Sequence, residues 1–320
     1  MKISAHQAAS GFPSDADQVL RRRLTDEHQL DAFLVSEPLS HQIFLEVKVL
    51  PKDIHLPEVD VGDILDVELI SNKGTLRIKL LSLDYADLFF VLVDDLVDYL
   101  IANQGSVEGA RALMLRLRSW EHLLEASSRG LSKSAQKGLF GELLVLGHLL
   151  SHFSLELLRV LNSWTGPDGG TRDFGLGEVG IEVKTTSVKG LLSVQISNER
   201  QLEIVAVDKL FLWCISIEIS NNGVNLNEKV QEIEEMLSGD PELLQIFRIK
   251  LTRVGYLAVD SHRYTSKFFV RDEFIFRIGE GFPRIITEGI PNGVFEVSYR
   301  VDLAACENWR VAKEQLLLEL

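Results

Sequence analysis

The apolar positions of this chain change spacing twice. Through residue 105 they fall in short runs rich in β-branched residues, at 30–36, 42–49, 64–70 and 75–83, parted by turn signals such as Asn72-Lys73-Gly74. Such runs predict a β-rich N-terminal region over 1–105. From 106 to 153 the spacing becomes helical. Ala110, Leu113, Leu117, Trp120 and Leu124 share one face, Ser106 suits an N-cap, Gly130 breaks the run, and a second helix is predicted over 134–153. A glycine-rich loop, 163–172, precedes a predicted strand hairpin over 173–187 and strands near 191–197 and 209–219. Helices at 227–237 and 241–250 follow, then strands at 254–259, 267–278 and 293–302, and an amphipathic helix from about Ala304. Helix, hairpin, strand, linker helix and strand form an α/β core over 106–220, with a mixed α/β extension over 221–320 packed on it.

The hairpin carries the chemistry. Asp173 opens it, and Ile181-Glu182-Val183-Lys184-Thr185-Thr186 forms its second strand. Side chains alternate along a strand, so Glu182 and Lys184 share a face. A two-residue turn at Gly177-Glu178 sets Asp173 opposite Glu182; a turn at Glu178-Val179 sets it opposite Lys184. Both registers gather two carboxylates and an ammonium. Mg²⁺ or Mn²⁺ suits such hard oxygen donors, with Asp173, Glu182 and the carbonyl of Val183 as candidate ligands. Such a cation lowers the pKa of a coordinated water and stabilises charge on a phosphate oxygen. Lys184 can orient the water or stabilise the transition state.

Glu142 stands in a nearly all-apolar helical stretch, 138–146, where a carboxylate is costly unless paired. It lies either on the exposed edge of its helix or in the metal site, directly or through water. A second Glu-x-Lys, Glu46-Val47-Lys48, has no hairpin aspartate opposite it and reads as an ordinary strand.

Charge narrows the functional classes. The net charge of −14 argues against a protein that coats nucleic acid with its whole surface. An enzyme needs only a local basic groove, and metal-binding carboxylates are themselves acidic. Apolar stretches are interrupted by Asp94, Asp95, Asp98 and Glu142, so no membrane span is expected. The opening residues lack the apolar core of a signal peptide, and the two cysteines, Cys214 and Cys306, lie far apart in apolar surroundings. A cytoplasmic setting with reduced thiols is the expectation.

The order of these pieces resembles the PD-(D/E)XK nuclease superfamily. The pieces are a helix bearing Gly141-Glu142, a glycine-rich loop, Asp173-Phe174, the hairpin, and Val194-Gln195-Ile196-Ser197 leading to Gln201-Leu202. More narrowly the chain resembles a bacterial family counted with that superfamily, through Gly281-Phe282-Pro283-Arg284-Ile285, Pro291-Asn292-Gly293-Val294 and residues 297–303. The resemblance implies a restriction-endonuclease-like αβββαβ core and divalent-metal cleavage of DNA. It also implies a place in bacterial restriction or phage defence, with methyltransferase or ATPase proteins as partners. Carried over, Asp173 and Glu182 are metal ligands, Lys184 is the catalytic lysine, Glu142 is the helix glutamate, and Gln201 matches the glutamine of a later motif. Arg172 stands where the motif's name has proline. The literal Pro167-Asp168 makes Asp168 a competing candidate.

Other patterns have blander readings. Gly175-x-Gly177-x-x-Gly180 is followed by a strand, not the helix a dinucleotide site requires. His148 and His152 lack a third ligand at suitable spacing. Arg111, Arg118, His122 and Arg129 form a solvated stripe or a phosphate contact. Arg248, Lys250, Arg253, Arg263, Lys267, Arg271, Arg277 and Arg284, interleaved with Tyr264, Phe268 and Phe269, suggest a DNA-facing surface. The leading expectation is a Mg²⁺-dependent DNA endonuclease, for which an oligomer is plausible. The alternatives are a catalytically silent DNA-binding or regulatory subunit, and an interaction scaffold.

Overall fold

The computed structural model describes residues 2–13, 18–26, 31–40, 42–48, 64–70, 74–102, 113–120, 130–187, 192–205 and 207–320. Ser106, Ala110, Leu124, Arg111, His122, Arg129 and Asn72-Lys73 lie outside them. The chain divides into two compact units: Met1–Gly130 with Gly255–Val259, and Leu131–Val254 with Asp260–Leu320.

The first unit contains helix α1 (Ala5–Ser10), strands β1 (Leu20–Arg23), β2 (Ala32–Glu37), β3 (Gln42–Lys48), β4 (Leu65–Ile70) and β5 (Thr75–Leu80), helix α2 (Ala86–Ala102), and a helical segment at 113–120. The strands form one antiparallel sheet in the order β1-β2-β3-β5-β4. Leu34, Leu45, Leu76 and Ile78 on one sheet face share a core with Leu88, Phe89, Leu92, Val93 and Leu96 of α2. Each such burial is worth about 1.5–3 kcal/mol.

The sequence reading left no room for α2. Its apolar residues run almost all round it, so no helical stripe stands out among valines that suit a strand. Its aspartates have internal work: Asp94 accepts the Ala5 amide at 2.8 Å, Asp98 pairs with Lys2 at 2.7 Å, and Asp95 takes Arg116 and the Trp120 indole. The second Glu-x-Lys lies in β3, where Glu46 pairs with Arg21 and Arg77, and Lys48 with Asp31.

The second unit contains α3 (Lys133–His152), α4 (Leu157–Ser163), β6 (Phe174–Leu176), β7 (Val179–Thr186), β8 (Ser193–Ile196), β9 (Lys209–Asn225), α5 (Leu226–Leu237), α6 (Pro241–Arg253), β10 (Lys267–Ile278), β11 (Tyr299–Asp302), β12 (Arg310–Val311) and α7 (Lys313–Leu318). A five-stranded sheet runs β12-β10-β9-β7-β6, in which β7 and β9 alone are parallel. This is a mixed α/β architecture. β8 is not in that sheet; it pairs with β11. The helical element between β8 and β9 is a single 3-10 turn, Glu199–Leu202. α3 starts at the Ser132 cap and packs on β7 through Gly141, where a β-carbon would collide with Thr185 Oγ1. Cys214 and Cys306 are buried and free, in a core with Leu210, Leu212 and Phe276. Among the described residues no helix is long and apolar enough to cross a membrane.

Three expected elements differ. Residues 254–259 are a turn and the start of a 3-10 helix, Ala258–Arg263, because Gly255 takes φ +82° and leaves extended backbone. The expected strand at 293–302 shrinks to β11, since Gly293 (φ +90°) and Glu296 (φ +55°) fold the chain out of line. The expected helix from Ala304 is a 3-10 segment, Leu303–Trp309, then β12 and α7. The Asp302 carboxylate accepts the Ala304 amide, and Trp309 packs on Phe282.

Candidate active site

The β6–β7 hairpin turns at Gly177-Glu178, with Gly177 at φ +60° as a two-residue turn of this kind requires. Phe174 pairs with Ile181, so the same register sets Asp173 opposite Glu182. β7 is flanked by β6 and β9, which makes Glu182 an interior residue with no exposed surface. Asp173 is fixed at both ends. Its carbonyl accepts the amides of Thr165 and Gly166, and its Oδ2 accepts the Val183 amide at 2.7 Å.

Glu142 turns inward from α3. Its residue surface is only partly covered, but its Oε2 accepts the Trp164 indole N–H at 2.8 Å, beneath the loop that carries Gly166. A β-carbon on Gly166 would lie 3.3 Å from both Asp173 Oδ1 and Glu142 Oε2. The two carboxylates thus converge on a space that exists because residue 166 has no side chain. Lys184 closes the other side. Its Nζ lies 2.6 Å from Glu182 Oε1 and donates to Gln201 Oε1 at 3.2 Å. The approach to Glu182 is an ion pair without hydrogen-bond geometry, and both Glu182 oxygens are buried with no hydrogen-bond partner. Gln201 Oε1 also accepts the Ser197 amide at 2.9 Å, which ties Lys184 to the end of β8.

The electrostatics follow from this crowding. Burial, reinforced by Asp173, pushes Glu182 up to about 8 against the pull of Lys184. Burial and Asp173 likewise push Glu142 up to about 8, against the Trp164 hydrogen bond. Burial raises Asp173, opposed by the Val183 amide and Lys184. For Lys184, burial pulls the ammonium down, but Glu182, Asp173 and Glu142 outweigh it and hold it above its ordinary value. Among the described residues three carboxylates thus crowd Lys184, with Arg172 acting on Glu182 as well, and full ionisation of all three would leave positive charge in deficit.

The family model DUF4420, described as "Putative PD-(D/E)XK family member", matches residues 3–304. The chain belongs to this family. No curated protein and no solved structure matches it.

Within this DUF4420 protein the remaining candidates fall apart from the cluster. Asp168 sits in the 3-10 turn Gly166–Asp168, bound to Lys250 and Arg253 of α6. Despite burial, those two cations lower its pKa. Its charge is spent there, whereas Asp173 faces Glu182. Among the described residues no three or more His, Cys, Asp and Glu side chains form a ready metal-binding group. The donor chemistry still fits a hard cation. Glu182 offers a buried Oε2 without a hydrogen-bond donor beside the Oε1 that faces Lys184, and the gap beside Gly166 is bordered by two more carboxylate oxygens.

The cations of the basic C-terminal segment mostly pair with acids of the chain itself. Arg248 pairs with Glu234, Lys250 and Arg253 with Asp168, Arg263 with Asp260, Lys267 with Glu228, Arg271 with Glu218, and Arg277 with Glu319. Arg284 donates to the Leu202 carbonyl. Tyr264 and Phe268 are core residues at 0% and 2% exposure. These cations neutralise the protein's own acids. His148 stacks on Trp213 and pairs with Glu273, so the His148/His152 pair has no metal role here.

Trp164 and Gly166 escaped the sequence reading, and Arg172 entered it only as a departure from the motif's proline. The only signal for them was the glycine-rich loop itself, whose composition says that backbone approaches something closely but not what.

Proposed function

We propose that this chain is a Mg²⁺- or Mn²⁺-dependent endodeoxyribonuclease that hydrolyses phosphodiester bonds, serving bacterial restriction or phage defence alongside methyltransferase or ATPase proteins. The observation that carries the reading is the meeting of Glu142, Asp173, Glu182 and Lys184, with Glu182 Oε1 against the Lys184 ammonium and its Oε2 buried without a donor. Asp173, Glu182, the Val183 carbonyl and, through water, Glu142 would hold the cation, which when bound supplies water activation and charge neutralisation at phosphate. The Val183 amide holds Asp173 Oδ2 and leaves Oδ1 toward the gap by Gly166. Gln201 holds Lys184 where its charge can meet the charge that develops on the attacked phosphate.

The test is cleavage of supercoiled plasmid with Mg²⁺, Mn²⁺ or EDTA, beside divalent titration by calorimetry, for wild type and Asp173→Ala. Metal-dependent cleavage and heat of binding are both expected to vanish in the variant. Equal binding by both proteins would move the site away from Asp173. A second reading, a nuclease fold that binds DNA without cutting it, draws on the Lys184–Glu182 ion pair and the lack of a ready three-ligand group among the described residues. Specific DNA binding without cleavage under any divalent ion would favour it.

Gly166→Ala tests the gap directly. The added methyl would lie 3.3 Å from both carboxylates, tight but tolerable for the backbone. Divalent affinity is expected to fall by about tenfold or more, on the scale of a disturbed metal surround. The circular dichroism spectrum should stay that of wild type. Unchanged affinity would place the cation elsewhere.

A further inference from the structure

Residues 202–205 lead from the Glu199–Leu202 turn, which carries Gln201, toward β9. Packing alone does not hold this segment. Leu202 is buried, but Ile204 and Val205 are exposed apolar side chains, and the segment belongs to no strand. Its carbonyls are held by arginines instead. Arg172 Nη2 donates to the Glu203 carbonyl at 2.5 Å and to the Val205 carbonyl at 2.9 Å, and Arg284 donates to the Leu202 carbonyl. The Glu203 carboxylate takes the Thr287 hydroxyl at 3.0 Å.

Arg172 reaches this segment by lying across β7. A β-carbon on Gly180 would sit 2.7 Å from Arg172 Cδ, so the glycine is the slot that admits the arginine stem. Thr165 Oγ1 donates to the Arg172 carbonyl at 2.9 Å and fixes the other end. The Arg172 Nε is buried without a partner, a cost the fold accepts in this placement. Directly after Arg172 comes Asp173. One residue therefore joins the carboxylate side of the site to the segment behind Gln201, the residue that holds Lys184.

We propose that Arg172 is a positioning residue: by pinning the carbonyls of Glu203 and Val205 it keeps Gln201 against Lys184 and sets the lysine relative to Asp173. The catalytic consequence rests on the nuclease reading above; the structural consequence does not. A proline at 172 has no side-chain donor and makes neither bond.

The experiment is amide hydrogen exchange on the full chain, wild type against Arg172→Gln, read at Ser197, Glu203, Val205 and Val183. Ser197 reports Gln201 directly, because its amide donates to Gln201 Oε1. Exchange at Ser197, Glu203 and Val205 is expected to accelerate by about tenfold or more, the scale of one lost charge-assisted hydrogen bond. The Val183 amide, bonded to Asp173, should keep its wild-type rate. Gly180→Ala, which crowds the arginine out without altering it, should give the same local pattern. The double variant Arg172→Gln/Gly180→Ala should add nothing to it. Unchanged exchange at Ser197, or equal acceleration at Val183, overturns the proposal, since the first shows no coupling and the second a general loosening. In a cleavage assay both single variants should lower kcat and leave KM for DNA near wild type; a change in KM alone speaks against positioning. Wild type that never cleaves ends the nuclease reading, and the exchange arm still decides the role of Arg172.

Discussion

Lys184→Ala is expected to slow DNA cleavage by on the order of a hundredfold or more, while DNA affinity changes far less. The reason is geometric. The Lys184 side chain is only 15% exposed and its ammonium is held between Glu182 and Gln201, so it reaches the site as a placed charge and not as a swinging one. A placed charge stabilises the transition state without paying to reorganise during the reaction. Removing it also takes away the Lys184–Glu182 ion pair, which draws the carboxylate further toward its protonated form. Lys184→Met keeps the apolar stem and separates loss of charge from loss of packing. Rates for wild type and both variants under saturating divalent ion, beside equilibrium DNA binding, give the answer. Wild-type cleavage by the alanine variant would make Lys184 a structural lysine.

Much of this cluster was legible before any coordinates. Strand alternation puts Glu182 and Lys184 on one face; of the two turns the sequence left open, the structure takes Gly177-Glu178, which brings Asp173 opposite Glu182. Glu142 stood out because a carboxylate in an apolar helix needs a reason, and the Trp164 indole and the Gly166 gap supply one. What hid was whatever depends on distant chain segments. Asp168 competed with Asp173 for the motif's aspartate until α6 brought Lys250 and Arg253 to it across some eighty residues. A linear count of cations in the basic segment likewise cannot show that Glu218, Glu228 and Glu234 come to meet them.

The same limit governs the fold. β10 was read at its true ends because Lys267–Ile278 is bounded by turn residues and strand-rich in between. α2 was lost because a helix buried on most of its surface carries no stripe, and its aspartates signal a helix only once Ala5, Lys2 and Arg116 are seen beside them. The pairing of β8 with β11, about a hundred residues away, likewise leaves no local trace.

Glu182→Gln is expected to stabilise the metal-free protein and to abolish its stabilisation by divalent ions. In the folded chain the Glu182 carboxyl is pushed from an ordinary value of 4.5 up to about 8, chiefly by burial and then by Asp173. A raised folded-state pKa means the folded protein holds a proton that the unfolded chain releases. The associated stability is fully present below about pH 4.5, declines as pH rises, and is lost by the time pH passes about 8. Metal-free wild type should therefore lose melting temperature as pH rises toward about 8, and the glutamine variant should lose less by the Glu182 share, since Glu142, also pushed up to about 8, still titrates in it. At the upper end the variant's advantage is on the order of a few kcal/mol, or several degrees in Tm. Saturating Mg²⁺ or Mn²⁺ should reverse the order. The cation replaces the proton in wild type and stabilises it by mass action, increasingly so as pH rises and the competing proton leaves. Glutamine keeps the shape but gives up the charge, so its melting temperature should respond little. Differential scanning calorimetry across that pH range, with and without divalent ion, reads both halves. A variant less stable than wild type in EDTA at pH 9 would mean that Glu182 is stabilised by Lys184 as a structural ion pair, and the charge deficit that argues for a cation would not exist.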